Sequence, residues 1–343
     1  MIFCTLFNWL YLPQGIALYH SVAGTASGGK FTLYVLCMDD FTLGALRALD
    51  LPNLRPIALA EIETDALRAV REKRTIGEYC WTCTTPLLRY VIALQPRDAV
   101  VSYVDADLRF FSDPSMVLAE MGNGSIYVHE HDFAPEHAEL QMIAGRFNVG
   151  LVAFRNNQEG RTCLEKWSAQ CLDECVMDPA AGLCGDQGYM DEWPALYAGL
   201  VISSNPGVGL APWNVSKYEL ANHKGVVTVN RRPVVFYHYH SLRMMRPRLG
   251  FKAIATASGN YHFDAETIRT IYAPYAREIW RASRELDRKK FQITNAVPTI
   301  PRIYENARND QLLFQIAGYL VPTERNVQLL KALYGIDADR DML

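Results

Sequence analysis

The chain has 343 residues, 50% of them hydrophobic and 21% charged, the make-up of a globular protein too long for one small core. Its formal net charge of -3 argues against nucleic acid as a partner spread over the whole surface. The charge is uneven: residues 241–343 hold about 16 Lys and Arg against about 11 Asp and Glu, so the tail is basic and the acidic excess precedes it.

The opening, MIFCTLFNWLYLP, is apolar but has no positive leader, and Asn8, Pro13 and Gln14 interrupt it. With no run of roughly 18–20 apolar residues further on, the expectation is a cytoplasmic protein with reduced thiols. IFCTLF predicts a strand, and PQGIALYHSVA a helix with Pro13 in its first turn. FTLYVLCM reads as a buried strand closed by Asp39-Asp40, FTLGALRALD as a helix stopped at Leu51-Pro52, and PIALAEI as a further strand. WTCTTPLLRYVIALQ predicts a helix in which Pro86 is tolerable only near the start. AVVSYV is a strand ended by Asp105-Ala106-Asp107. SIYVHEH and VGLVAFR are strands, EGRTCLEKWSAQCLDECV is a long amphipathic helix, and VVTVN and PVVFYHYH close the pattern as two strands. Alternation of this kind predicts an α/β fold, a mostly parallel sheet with helices on both faces. From Leu242 the texture becomes helical, in ETIRTIYAPYAREIWRASRELDRKKF and NDQLLFQIAGYL. The expected division is an α/β domain over 1–248 and a C-terminal helical extension over 249–343.

Of the eight cysteines, Cys80-x-x-Cys83 and Cys171-x-x-x-Cys175 have metal-ligand spacing, but neither lies in a Gly/Pro-rich knuckle. Cys163, Cys171 and Cys175 fall at helical spacing and read as small apolar packing groups. The chemistry lies elsewhere, in VVSYVDADLRFFSDP. Other acidic pairs occur, at Glu61/Glu63 and Asp337/Asp339, but only Asp105/Asp107 ends a buried strand. In an open α/β sheet ligands bind at that rim. Two carboxylates placed there repel one another unless a divalent cation is held between them, and such a cation can bridge a diphosphate. A third ligand is available in PVVFYHYH, where alternation puts His238 and His240 on one face of a strand.

The acidic pair at a strand end resembles the DxD motif of GT-A-type nucleotide-sugar transferases, and other segments resemble glycosyltransferase family 8. TLFNWLYLPQGIALYHSV is similar to the family's uridine-binding opening, which implies that Thr5, Asn8 and Tyr11 hold the base and ribose. The resemblance further implies that Arg89 in PLLRYVI and Asn148 in FNVGLVAFR lie near the donor sugar. It likewise implies that Asp186-Gln187 in CGDQGYMD lie near the anomeric carbon, and that His238 is the metal histidine with His240 behind it. The donor set is then Thr5, Asn8, Tyr11, Arg89, Asp105, Ala106, Asn148 and Arg243, and the metal set Asp105, Asp107 and His238. The catalytic set is Asp186, Gln187 and Arg89. Ser241 stands where the family has glycine, and the family's diphosphate lysine falls near Met244, one place past Arg243. His129 and His131 in VHEHD flank the acceptor side and receive no role.

Function and partners follow as expectations. The family implies transfer of a hexose-type sugar from a nucleotide diphosphate sugar, UDP above all, to a glycan or lipid-linked acceptor. It implies Mn2+ or Mg2+ as cofactor and retention at the anomeric carbon; in an inverting enzyme Asp186 would be the candidate base. LRMMRPRLGFK, with Arg243, Arg246, Arg248 and Lys252, suits peripheral contact with an anionic membrane face. A nucleotidyltransferase is the first rival, but its basic Gly-rich loop would have to be GTASGGKF, which precedes a strand instead of opening a helix. A non-catalytic sugar-binding protein, the second, would be expected to have lost Asp105, Asp107 or the histidine.

Overall fold

The structure is a computed structural model that describes residues 1–240, 242–245, 253–256, 261, 263–291, 313–316 and 319–321, the strands after 242 by their backbone only. It opens with β1 (Ile2–Phe7), α1 (Leu12–Thr25), β2 (Thr32–Cys37), α2 (Asp40–Leu49) and β3 (Leu54–Ala58). Then come α3 (Asp65–Arg71), α4 (Ile76–Ala93), β4 (Val100–Val104), β5 (Leu108–Phe110), α5 (Ser115–Met121), β6 (Ile126–Glu130) and β7 (Phe147–Arg155). α6 (Gln158–Asp173), β8 (Leu200–Ile202), β9 (Phe236–His238) and α7 (Ala273–Arg288) complete the elements used below.

The main sheet has seven strands in the order β8-β6-β7-β4-β1-β2-β3. All are parallel except β7, which runs antiparallel to β4 and β6. The α/β class, the mostly parallel sheet and a C-terminal helix are thus as expected. β4 is buried along nearly its whole length, which is why AVVSYV reads as a continuous apolar run and does not alternate. One face of the sheet packs on α1, α2 and α7, through Ile16, Val22, Leu46, Ala282 and Leu286 among others. The other packs on α4 and α6, where Trp167 lies between Phe154 and Trp193.

Local chemistry explains the turns that shape the rim. Asp39 caps α2 by accepting from Thr42 N at 2.7 Å and also accepts from Trp9 N at 2.8 Å, tying the turn after β1 to the end of β2. Gly15 in α1 packs so close that an added Cβ would lie 2.3 Å from the Phe7 ring.

Three expectations change. α4 begins at Ile76, behind a Thr75/Glu78 capping box, so Pro86 sits well inside the helix, where it removes one backbone hydrogen bond. PVVFYHYH and VVTVN do not extend the main sheet. β9 pairs antiparallel with the short β5, and Val226–Val229 lies in a separate three-stranded meander. The backbone in NDQLLFQIAGYL is extended at Leu313–Ile316 and Tyr319–Val321, not helical. These two strands continue a small antiparallel sheet begun by Leu242–Met245 and Ala253–Thr256.

Candidate active site

β4 ends at Val104, and the chain turns sharply through Asp105, Ala106 and Asp107 before entering β5. The turn is pinned on both sides: Asp105 N donates to Gly150 O on β7 at 2.9 Å, and Tyr239 N donates to Asp107 O at 2.9 Å. Because β9 pairs with β5 so that His238 stands opposite Leu108, His238 arrives beside Asp107 from far along the chain. Its Nε2 lies 3.2 Å from Asp107 Oδ1 and 3.7 Å from Asp105 Oδ2. One ligand atom from each of the three residues falls within 4.8 Å of the others. Among the described residues this is the one such group of His, Cys, Asp and Glu side chains.

The electrostatics suit a cation. Burial pushes the Asp105 carboxyl up to about 6 and the Asp107 charge adds to this, while His238 and the hydrogen bond from Tyr103 pull the other way. Tyr103 Oη donates to Asp105 Oδ1 at 2.9 Å. Burial opposes charge on His238, yet Asp107 and then Asp105 outweigh it and hold the imidazole above its ordinary range. Asp186, also buried, is pushed up to about 8, first by burial and then by Asp105, against hydrogen bonds from its own backbone, Thr84 and Gln187. Two carboxylates and an imidazole so placed, with the Asp105 side chain 32% exposed to let solvent in, fit a divalent cation.

A second layer lies behind the triad. Asn148 Oδ1 accepts from Gly150 N at 2.9 Å and lies 3.2 Å from His238 Nδ1; its Nδ2 faces His131 Nε2 at 3.1 Å and Gln187 Oε1 at 3.3 Å. Gln187 Nε2 donates in turn to Ala144 O at 2.9 Å. His131 is anchored through its carbonyl, which accepts from Trp213 Nε1 at 2.9 Å and from Asn214 Nδ2 at 2.8 Å. The Trp213 ring makes edge-to-face contacts with both His238 and the exposed His240.

The sequence-derived residues are not all brought to one place. Asp105, Asp107, His238, Asn148 and Gln187 are brought together directly, and Asp186 joins them through Asp105. Thr5, Asn8 and Tyr11 sit on β1 and the turn that follows it, beside β4 and at the same rim. Thr5 is fully buried, with its hydroxyl unpaired among the described residues, and Asn8 Oδ1 accepts from Leu10 N at 3.1 Å. Ala106 is buried in the turn. Arg89 is exposed on α4 and makes no described contact with the triad. Arg243 is described by its backbone alone, in Leu242–Met245, and Arg246, Arg248 and Lys252 lie outside the described residues. His131, Tyr103 and Gly150 are site residues that sequence reasoning did not assign. The only advance signals were the histidine two places after His129 and the glycine two places after Asn148.

Among the described residues no helix is long and apolar enough to cross a membrane. No family model matches the chain. The structure is similar to that of the galactosyltransferase LgtC in complex with donor and acceptor sugar analogs, at 15% identity and a TM-score of 0.47, over 86% of this chain and 97% of that one. It is similar also to the glycosyltransferase GlyE of Streptococcus pneumoniae TIGR4, at 14% identity and a TM-score of 0.48, over 84% and 64%. In sequence, YfnF of Bacillus subtilis (strain 168) is 31% identical over 250 residues, 71% of this chain and 82% of YfnF. YfnD of the same organism is 30% identical over 258 residues, 73% of this chain and 80% of YfnD. The chain belongs to the family of YfnF and YfnD.

Proposed function

We propose that the protein is a metal-dependent glycosyltransferase of the GT-A type, moving a hexose-type sugar from a nucleotide diphosphate sugar to a glycan or lipid-linked acceptor. The observation that carries this reading is the convergence of Asp105, Asp107 and His238 at the carboxyl end of β4, the rim where open α/β sheets bind ligands. The resemblance of the surrounding segments to glycosyltransferase family 8 supplies UDP as the nucleotide and retention as the stereochemical outcome.

Each residue then has a task. Asp105, Asp107 and His238 would hold the cation, which when bound neutralises charge developing on the leaving diphosphate. Thr5, Asn8 and Tyr11, next to β4 on the same rim, would receive the uridine. Asp186 stands close enough to Asp105 to feel its charge and is buried, so its carboxyl would meet the reacting end of the donor in a water-poor setting. Gln187 is tied to Asn148 and to the Ala144 carbonyl, which fixes the backbone on which Asp186 sits. Peripheral contact of the 242–252 segment with an anionic membrane face, from the cytoplasmic side, would bring a lipid-linked acceptor within reach.

The test is turnover of a panel of UDP-sugars, including hydrolysis without acceptor, in Mn2+ and in chelator. Turnover is expected with Mn2+ alone, and Asp105→Ala or Asp107→Ala should abolish it while melting cooperatively as the wild type does. Near-normal turnover of either variant in chelator would overturn the reading.

A further inference from the structure

Asn148 was expected at the donor sugar, yet both ends of its amide are engaged inside the protein. The side chain is 6% exposed, and each polar atom has a partner within 3.3 Å. The orientation of this amide follows from one of them. The backbone N–H of Gly150 can only donate, so the atom it meets at 2.9 Å is the amide oxygen. An amide oxygen only accepts, so the His238 nitrogen facing it at 3.2 Å, Nδ1, carries a hydrogen. An amide NH2 only donates, so the His131 nitrogen facing it at 3.1 Å, Nε2, is bare. The remaining amide hydrogen goes to Gln187 Oε1.

Gly150 shows how tightly this arrangement is built. A Cβ there would lie 2.5 Å from Asn148 Oδ1 and 2.9 Å from His238 Nδ1, so β7 can approach the imidazole only with glycine at that place. The same glycine holds the Asp105 backbone through its carbonyl. One short segment of β7 therefore sets both the carboxylate turn and the ring that faces it.

We propose that Asn148 is a positioning residue that keeps a hydrogen on His238 Nδ1 and so fixes the orientation of the ring. The lock is closed by Gly150, His131 and Gln187, and it turns His238 Nε2, 3.2 Å from Asp107 Oδ1, toward the point it shares with Asp105 and Asp107, where a bound cation would take the place of any hydrogen on it. The cation half of this assignment rests on the proposed function; the lock itself does not. Partners of this kind behind a metal histidine govern ring orientation and basicity, and their loss typically weakens metal binding by about 10–100-fold.

The experiment reads the two halves separately. Ring 15N–1H correlation spectra of histidine-labelled, cation-free protein are recorded at pH about 9, above the ordinary histidine range, with His238→Gln used to identify the signal. The wild type should show a hydrogen on His238 Nδ1, which a neutral free imidazole carries only in its minor form. Asn148→Leu should release it to the Nε2–H form, and Asn148→Asp, whose carboxylate still accepts, should restore Nδ1–H. Titration with Mn2+ should show affinity lowered about 10–100-fold in Asn148→Leu and not lowered in Asn148→Asp. A bare Nδ1 in the wild type, or Nδ1–H retained in Asn148→Leu, would overturn the lock. Nδ1–H in a wild type that binds no Mn2+ would overturn the cation reading of the site and leave the lock standing.

Discussion

His129 lies on β6 and His131 one residue past its end, and burial holds both imidazoles neutral. Burial pushes His129 down to about 4, and burial with the neighbouring His129 pushes His131 down to about 3. A neutral His131 keeps Nε2 bare for the Asn148 amide. In the unfolded chain both histidines protonate near the ordinary value of about 6.5, so below that pH the unfolded state binds more protons than the folded one. Their contribution to stability is complete above pH about 6.5 and is lost as pH falls toward the folded values, at about 1.4 kcal/mol per pH unit for each histidine near pH 5. Urea unfolding of His129→Gln should accordingly show an acid loss shallower than wild type by about that slope; equal slopes would contradict the assignment of His129 as buried and neutral. Individual residues were unevenly legible. Asp105 and Asp107 stood out because a buried strand ended on them, and His238 because strand alternation put it on one face with His240. His131, Tyr103 and Gly150 stayed hidden, since what each faces depends on which strand lies alongside, and local spacing does not encode that.

Among the elements, β7 decides most. Its antiparallel run between β4 and β6 brings Asn148, Gly150 and the Asp105 turn into one row, a register fixed by pairings such as Val104 with Leu151 and His129 with Asn148. The sequence reading placed a strand there but not its direction, because a fully buried strand shows the same apolar run whichever way it points. Gly150→Ala should leave the fold in place, cost about 1–3 kcal/mol as an overpacked site, and weaken Mn2+ binding by displacing His238. Unchanged Mn2+ affinity in a calorimetric titration would show that the close approach of β7 is not needed. The second deciding element is α7, which grips β5 through a two-point contact of Glu278 with Arg109, Nε and Nη2 each 2.8 Å from a carboxylate oxygen. Both side chains are about one-fifth exposed, at 18% and 22%, so the pair is shielded enough to matter. Glu278→Gln should cost about 1–3 kcal/mol by leaving Arg109 without its counter-charge. Hydrogen exchange in Ala273–Arg288 should rise selectively, and uniform protection would place the helix's hold elsewhere. That helix was legible from its strong 3.6-residue periodicity, whereas Leu313–Ile316 and Tyr319–Val321 carry apolar runs too short to separate helix from strand.

At the scale of the molecule, the parallel strands β1 and β4 lie side by side, so the turn after β1 and the carboxylate turn after β4 open onto one rim. β9, placed by its pairing with β5, closes that rim with His238. The alternation of strands and helices made the sheet legible, because helices must cross over between parallel strands. The small antiparallel pieces were not, since they are too short for periodicity to mark them. The central claim is that this rim holds a nucleotide diphosphate through one divalent cation, and calorimetric titration with UDP tests it most directly. UDP should bind wild-type protein in Mn2+, fail to bind in chelator, and fail to bind Asp107→Ala in Mn2+ while that variant melts as cooperatively as wild type. Binding of UDP with equal affinity in chelator and in Mn2+ would contradict the claim.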